Sequence, residues 1–71
     1  MDTYDIIRQQ MNFFFREKMS VHIKLKNGHW KNGSIEEMSA EFCILNERVT
    51  GREMVFFIAV ERVDPFKEVE K

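Results

Sequence analysis

The hydrophobic period of the 71-residue chain changes once, and the change divides it. Up to about residue 18, apolar residues recur at three- and four-residue steps. Tyr4, Ile7, Met11, Phe14 and Phe15 form one stripe, which predicts an amphipathic helix over about 2–18. Asp2 or Thr3 suits the N-cap, and Asp5 suits the first turn, where the helix dipole favours negative charge. Ile6 and Phe13, seven apart, fall roughly on the opposite side. The run "MNFFFREKM" therefore poses a packing problem, because three consecutive phenylalanines step about 100° each and no single face holds them all. Phe14 and Phe15 are expected on the subunit's own core. Phe13, with Ile6, is expected to meet a neighbouring subunit or a partner.

From residue 21 the period is two. "VHIKLK" alternates Val21, Ile23 and Leu25 with His22, Lys24 and Lys26, the pattern of a half-buried strand. Asn27-Gly28 signals a hairpin in which both turn residues accept positive φ. "HWKNGSIEEM" reads as the second strand, with Gly33 marking a bend. Glu36 and Glu37 in it are expected on opposite faces. "EFCILNERV" and "MVFFIAV" read as third and fourth strands, each apolar on both faces. "VERVDPF" is a short fifth strand ended by Pro65, and 67–71 is a polar tail. The pattern predicts one domain over 1–71, mainly β with an N-terminal α-helix. Its barrel, over about 20–66, is a small five-stranded bent antiparallel one.

Composition adds a demand for partners. Seven Phe and five Met are many for so short a chain, and surplus apolar surface points to oligomerisation. An edge strand "MVFFIAV" would expose large hydrophobes in a monomer, which is an aggregation hazard. The expected homo-oligomer interface is Met54, Val55, Phe56, Phe57 and Ile58, with Val60 and Val63 on the next strand and Phe13 on the helix. The net charge of −1, from 11 basic and 12 acidic residues, excludes a strongly basic nucleic-acid protein but not a local patch. The single cysteine, Cys43, cannot form an internal disulfide; it reads as a small buried hydrophobe in a cytoplasmic, reducing compartment. The longest apolar run is far short of the ~20 residues that span a membrane, so no membrane partner is expected.

Candidate chemistry is sparse. His22, His29 and Cys43 on separate strands do not make a zinc site. No nucleophile, acid–base pair or cofactor motif is present, and no enzyme is expected. Lys24, Lys26 and His22 share a strand face, and Trp30 and Lys31 lie just past the turn. Basic groups interleaved with an aromatic suit single-stranded nucleic acid; an ordinary solvated strand face is the competing reading. Trp30 is either packed at the turn or exposed for stacking. Arg16 and Lys18 complement the negative end of the helix dipole.

In order, spacing and length the chain resembles the Sm-like family, including its Hfq branch. The resemblance rests on the helix before "REKMSVHIKLKNG", on "NGHWKNGSIEEMSAEFCIL" and on "EMVFFIAVERVDPF". It implies an SH3-like barrel and a homo-oligomeric ring, in which the fourth strand of one subunit pairs with the fifth of the next. It also implies RNA, commonly uridine-rich, bound at loops facing the pore. The segment of Arg16 and Lys18 would correspond to an arginine-rich stretch that touches RNA on the ring's rim. The pore motif departs from the family. Ser39 replaces an acidic residue, and Glu41 takes the stacking position unless a one-residue shift brings in Phe42. Cys43 replaces an asparagine, and Phe57-Ile58 replaces Arg-Gly or Lys-His. A uridine site needs a stacking platform, a group for the base edge and cations, and a ring of Glu41 would repel phosphate. The expected function is thus RNA binding by an Sm-like ring with a non-standard pore, in RNA metabolism or regulation. The candidate contacts are the rim (Arg16, Lys18), a strand face (Lys24, Lys26, Trp30, Lys31) and the loop (Ser39, Glu41, Phe42). The alternative is an oligomeric protein-interaction scaffold that has lost RNA binding.

Overall fold

Helix α1 (Thr3–Arg16) is followed by β1 (Ser20–Leu25), β2 (Trp30–Met38), β3 (Phe42–Glu47), β4 (Gly51–Phe56), a 3₁₀ turn (Phe57–Ala59) and β5 (Val60–Pro65). This is a computed structural model that describes residues 3–66; Asp2 and the tail expected at 67–71 lie outside the described residues. All strand pairs are antiparallel and make one sheet in the order β4-β3-β2-β1-β5.

The helix buries the stripe that its spacing marks out. Ile7, Met11 and Phe14 are buried, while Tyr4 and Phe15 pack partly buried against the same core. Phe13 is 56% exposed and Ile6 44%. The helix ends in a Schellman motif. Met19 N–H donates to the Phe14 carbonyl at 2.9 Å and Lys18 N–H to the Phe15 carbonyl at 3.2 Å. Lys18 sits at the left-handed position of that motif, with φ 57°, where glycine is the usual residue. Helix packing continues through Met19, which joins Phe14 on the core.

The sheet wraps its inward side chains around Val21, Ile23, Ile35, Cys43, Leu45, Val55, Phe57, Val60 and Val63. Gly33 has a steric reason rather than a torsional one: a Cβ built there would lie 2.0 Å from the backbone oxygen of Asn46. The β1–β2 turn differs from the two-residue form. Gly28 N–H closes on the Leu25 carbonyl at 2.9 Å, and among these turn residues only Gly28 has positive φ. Asn27 instead accepts, through Oδ1, a hydrogen bond from His29 N–H at 3.0 Å.

Two bulges break the strict alternation. In β2 the register shifts between Ile35 and Glu37, so Glu36 and Glu37 both turn outward. Opposite faces were expected; one extra residue in the strand is the reason they share one. Arg52 clasps both, with Nε 2.8 Å from Glu36 and Nη2 3.1 Å from Glu37. In β5 a shift opposite Lys24 and Leu25 likewise turns both Glu61 and Arg62 outward.

The segment "MVFFIAV" is not one strand. β4 starts at Gly51 and ends at Phe56, and Phe57–Ala59 form the corner into β5. The corner is needed because β4 and β5 are consecutive in the chain yet lie at opposite edges of the sheet. β4 is therefore half-buried, with Val55 inside and Arg52, Met54 and Phe56 exposed. The interface expectation changes accordingly. Val55, Phe57, Val60 and Val63 are at most 4% exposed, so their side chains belong to the subunit's core. Met54, Phe56 and Ile58 remain outward, at 52%, 48% and 68% exposure.

Polar groups complete the inward face where apolar ones end. Glu47 accepts from the backbone N–H of Asn32 (3.0 Å), Val49 (2.7 Å) and Thr50 (3.1 Å). These donors, Asn32 first, hold its carboxyl down at about 2, against an ordinary 4.5. Lys31 Nζ bonds Glu53 at 2.7 Å, and the hydroxyl of Thr50 also donates to Glu53. The Lys31 contact, then Thr50, lowers the pKa of Glu53.

Candidate nucleic-acid interface

Outward residues of β1, β2 and β5 form a single surface. Strand register sets His22 between Asn32 and Asp64, and Lys24 between Trp30 and Arg62. Residues directly opposite share a face of the sheet. The His22 ring stacks on the Trp30 indole, with centroids 4.0 Å apart and planes 16° from parallel. It also lies near-parallel to Phe66, at 6.0 Å and 26°. His22 Nδ1 and Asn32 Oδ1 are hydrogen-bonded, which fixes the ring in its plane.

Cations edge these rings. Lys24 Nζ is 5.8 Å from the Trp30 centroid, and the Arg48 guanidinium is 5.4 Å from that of Phe66. Lys24 also meets Glu61 at 3.4 Å, and Arg62 Nε meets Asp64 at 2.8 Å. Trp30 is 45% exposed, so part of its surface is open to a ligand ring. The arrangement offers stacking surface with adjacent cations, which is what a single-stranded nucleic acid requires.

The other expected contacts are dispersed. Lys31 leaves the group, because it follows Trp30 in a strand and so points inward, where Glu53 holds it. Lys26 is exposed on the turn, with its N–H donated to the Ala59 carbonyl at 2.9 Å. Arg16 and Lys18 are exposed at the helix end. Ser39 and Glu41 are exposed in the β2–β3 loop, which Tyr4 ties to the helix by donating its hydroxyl to the Ala40 carbonyl at 2.9 Å. Phe42 is half-buried and meets Phe56 edge-to-face at 5.7 Å. A cleft of about 380 Å³ separates this loop from α1, lined by Arg8, Gln9, Asn12, Met38, Ser39 and Ala40. A second, of about 330 Å³, shares Gln9 and Asn12 and reaches Phe13 and Arg16.

Sequence alternation places His22 and Lys24 together and brings Trp30 near. It misses Asn32, Arg48, Arg62 and Phe66. Arg62 joins only through the β5 bulge, and Arg48 and Phe66 only through tertiary packing. Cys43 is fully buried, and burial pushes its thiol up to about 11, so it is no thiolate nucleophile. Among the described residues no group of three or more His, Cys, Asp or Glu could hold a metal ion, and no helix is long and apolar enough to cross a membrane.

A solved structure of the pleiotropic translational regulator Hfq superposes with a TM-score of 0.70 at 21% identity, covering 82% of this chain and 95% of that one. No family model and no curated protein matches the sequence. The chain has the Sm-like fold: an N-terminal helix and five antiparallel strands in one sheet.

Proposed function

We propose that the chain, as a single domain over 1–71, is an RNA-binding subunit of a homo-oligomeric Sm-like ring. Its RNA is held on the outward β1–β2–β5 surface rather than at a standard pore. The observation that carries this reading is the exposed Trp30, stacked on His22 and edged by Lys24, with Arg62 on the far side of Lys24. Similarity of fold to a translational regulator supports it, while the lack of base-edge and phosphate groups in "SAEFC" is the reason to look for the contact away from the pore. Arg16, Lys18 and Lys26 provide further contacts. Met54, Phe56 and Ile58 lie at and just past the β4 edge and supply apolar surface for pairing β4 with β5 of a neighbour. Phe13 extends that assembly or meets a partner. A cytoplasmic location belongs to the same proposal, since a lone buried cysteine suits a reducing compartment.

A mobility-shift assay with short A-rich and U-rich RNAs at two salt concentrations tests the reading. Binding that weakens with salt is expected, because phosphate contacts release counterions. Light scattering reports the oligomer; an 8.6 kDa species would reject the ring. The scaffold alternative is favoured by the loss of the pore residues in "SAEFC" and by the pairing of Lys24 with Glu61 and of Arg62 with Asp64. No binding of either RNA by an intact oligomer would select it.

A further inference from the structure

We propose that Glu61 and Asp64 make the β1–β2–β5 surface selective for unpaired bases, by cancelling the cations that would otherwise hold any phosphate backbone; this inference rests on the RNA-binding reading above. Lys24 Nζ lies 3.4 Å from Glu61, and Arg62 Nε lies 2.8 Å from Asp64. These four charges sum to zero. Lys24 is also the cation beside the exposed indole, 5.8 Å from the Trp30 centroid. The surface thus presents exposed ring with little net charge from the groups beside it.

The fold does not demand these carboxylates. At least 36% of each of the four side chains is open to solvent, so the pairs add little stability. Glu61 reaches this face through the bulge in β5. It is the extra residue between Arg62, opposite Lys24, and Val60, opposite Leu25. Asp64 stands opposite His22, whose ring stacks on Trp30. Both carboxylates therefore border the rows that carry the rings.

Single strands and duplexes meet such a surface differently. An RNA duplex keeps its bases paired inside and offers mainly sugar and phosphate. Its attraction to a protein face depends on cations that are not already cancelled. A single strand can lay a base on Trp30, a contact that needs no net charge. Its phosphates can also settle away from Glu61 and Asp64, whereas those of a duplex are fixed in spacing. The carboxylates therefore subtract more affinity from the duplex than from the single strand.

The test uses the full chain with fluorescein-labelled oligo(A), oligo(U) and their annealed duplex, read by anisotropy at several salt concentrations. The wild type is expected to bind a single strand more tightly than the duplex. Glu61→Gln combined with Asp64→Asn should raise duplex affinity about ten-fold, or about three-fold for each like-charge contact removed at about 6 Å in water. The gain for single strands should be smaller. Salt dependence should steepen for both, as Lys24 and Arg62 become available to phosphate. Glu37→Gln removes one negative charge at the far end of β2, where Glu37 pairs with Arg52, and should leave the preference unchanged. Unchanged duplex affinity in the double variant overturns the role of the carboxylates and leaves the RNA reading standing. Equal gains for single strand and duplex, or a comparable gain from Glu37→Gln, do the same, because they assign the effect to net charge. A wild type with no preference for the single strand overturns the selectivity. A wild type that binds no RNA at any salt concentration overturns the RNA reading itself.

Discussion

Strand β2 presents two contrasting series of residues. Inward, Lys31 and Gly33 sit opposite the buried Ile23 and Val21. Each has its identity set by the interior: Lys31 by Glu53, Gly33 by the Asn46 carbonyl. Outward, Trp30 and Asn32 sit opposite Lys24 and His22, and meet other surface side chains and solvent. In the inward series, change acts on the fold: on a close backbone approach at Gly33 and on a part-buried ion pair at Lys31. The outward series spends a large aromatic ring and a carboxamide where a stable strand needs neither. That excess is the physical reason to look for function on the outward side.

Substitutions can break or sharpen this contrast. The largest effect is expected at Gly33. Gly33→Val would drive side-chain atoms into backbone that cannot yield, and should leave no cooperative thermal transition by circular dichroism. A protein with an ordinary melt would show that β2 and β3 can separate. Next is the same contrast on α1. Phe14→Ala should lower stability by about 3 kcal/mol in urea titration, since it empties a core position. Phe13→Ala should cost well under 1 kcal/mol in the subunit and instead change oligomer mass. Equal losses from the two would erase the difference between the helix faces.

Acid is expected to weaken the carboxylates that hold β2 from the inward side. The folded-state pKa values of Glu47 and Glu53 are depressed, so the stability they contribute is complete above the ordinary 4.5. For Glu47 it is lost as pH falls from there towards about 2. Glu47→Gln should reduce the slope of stability against pH in that window, measured by urea titration at each pH. Trp30→Ala should lower RNA affinity by about 1–3 kcal/mol, the range for a lost stacking partner, with a smaller change in melting. The smallest effect is a gain. Lys18→Gly removes a left-handed non-glycine residue and should raise stability by up to about 1 kcal/mol.

Much of this fold is legible in the sequence because burial on one side of an element leaves a period. Ile7, Met11 and Phe14, and Val21 with Ile23, are read correctly from spacing alone. The failures share a cause. Glu36–Glu37 and Glu61–Arg62 sit at bulges, where one extra residue resets the alternation without altering residue type. "MVFFIAV" misleads because a corner and a strand end can be equally apolar when both face one core. The candidate surface was half legible: His22 and Lys24 declare themselves by alternation, but Arg62 and Arg48 come from distant segments. The strand register brings Arg62, and tertiary packing brings Arg48.

The three-residue turn at Phe57–Ala59 constrains the shape of the whole sheet. Five flat strands would set their outermost members about 19 Å apart. From Phe56 to Val60 the chain reaches about 15 Å at full stretch, and about 8 Å when wound as a 3₁₀ turn. Contour length alone thus forces the first and last strands of the order towards each other at this end, whatever the side chains prefer. The sheet is rolled by a short tether in its covalent connectivity, and inserting residues into that tether would alter its radius of curvature.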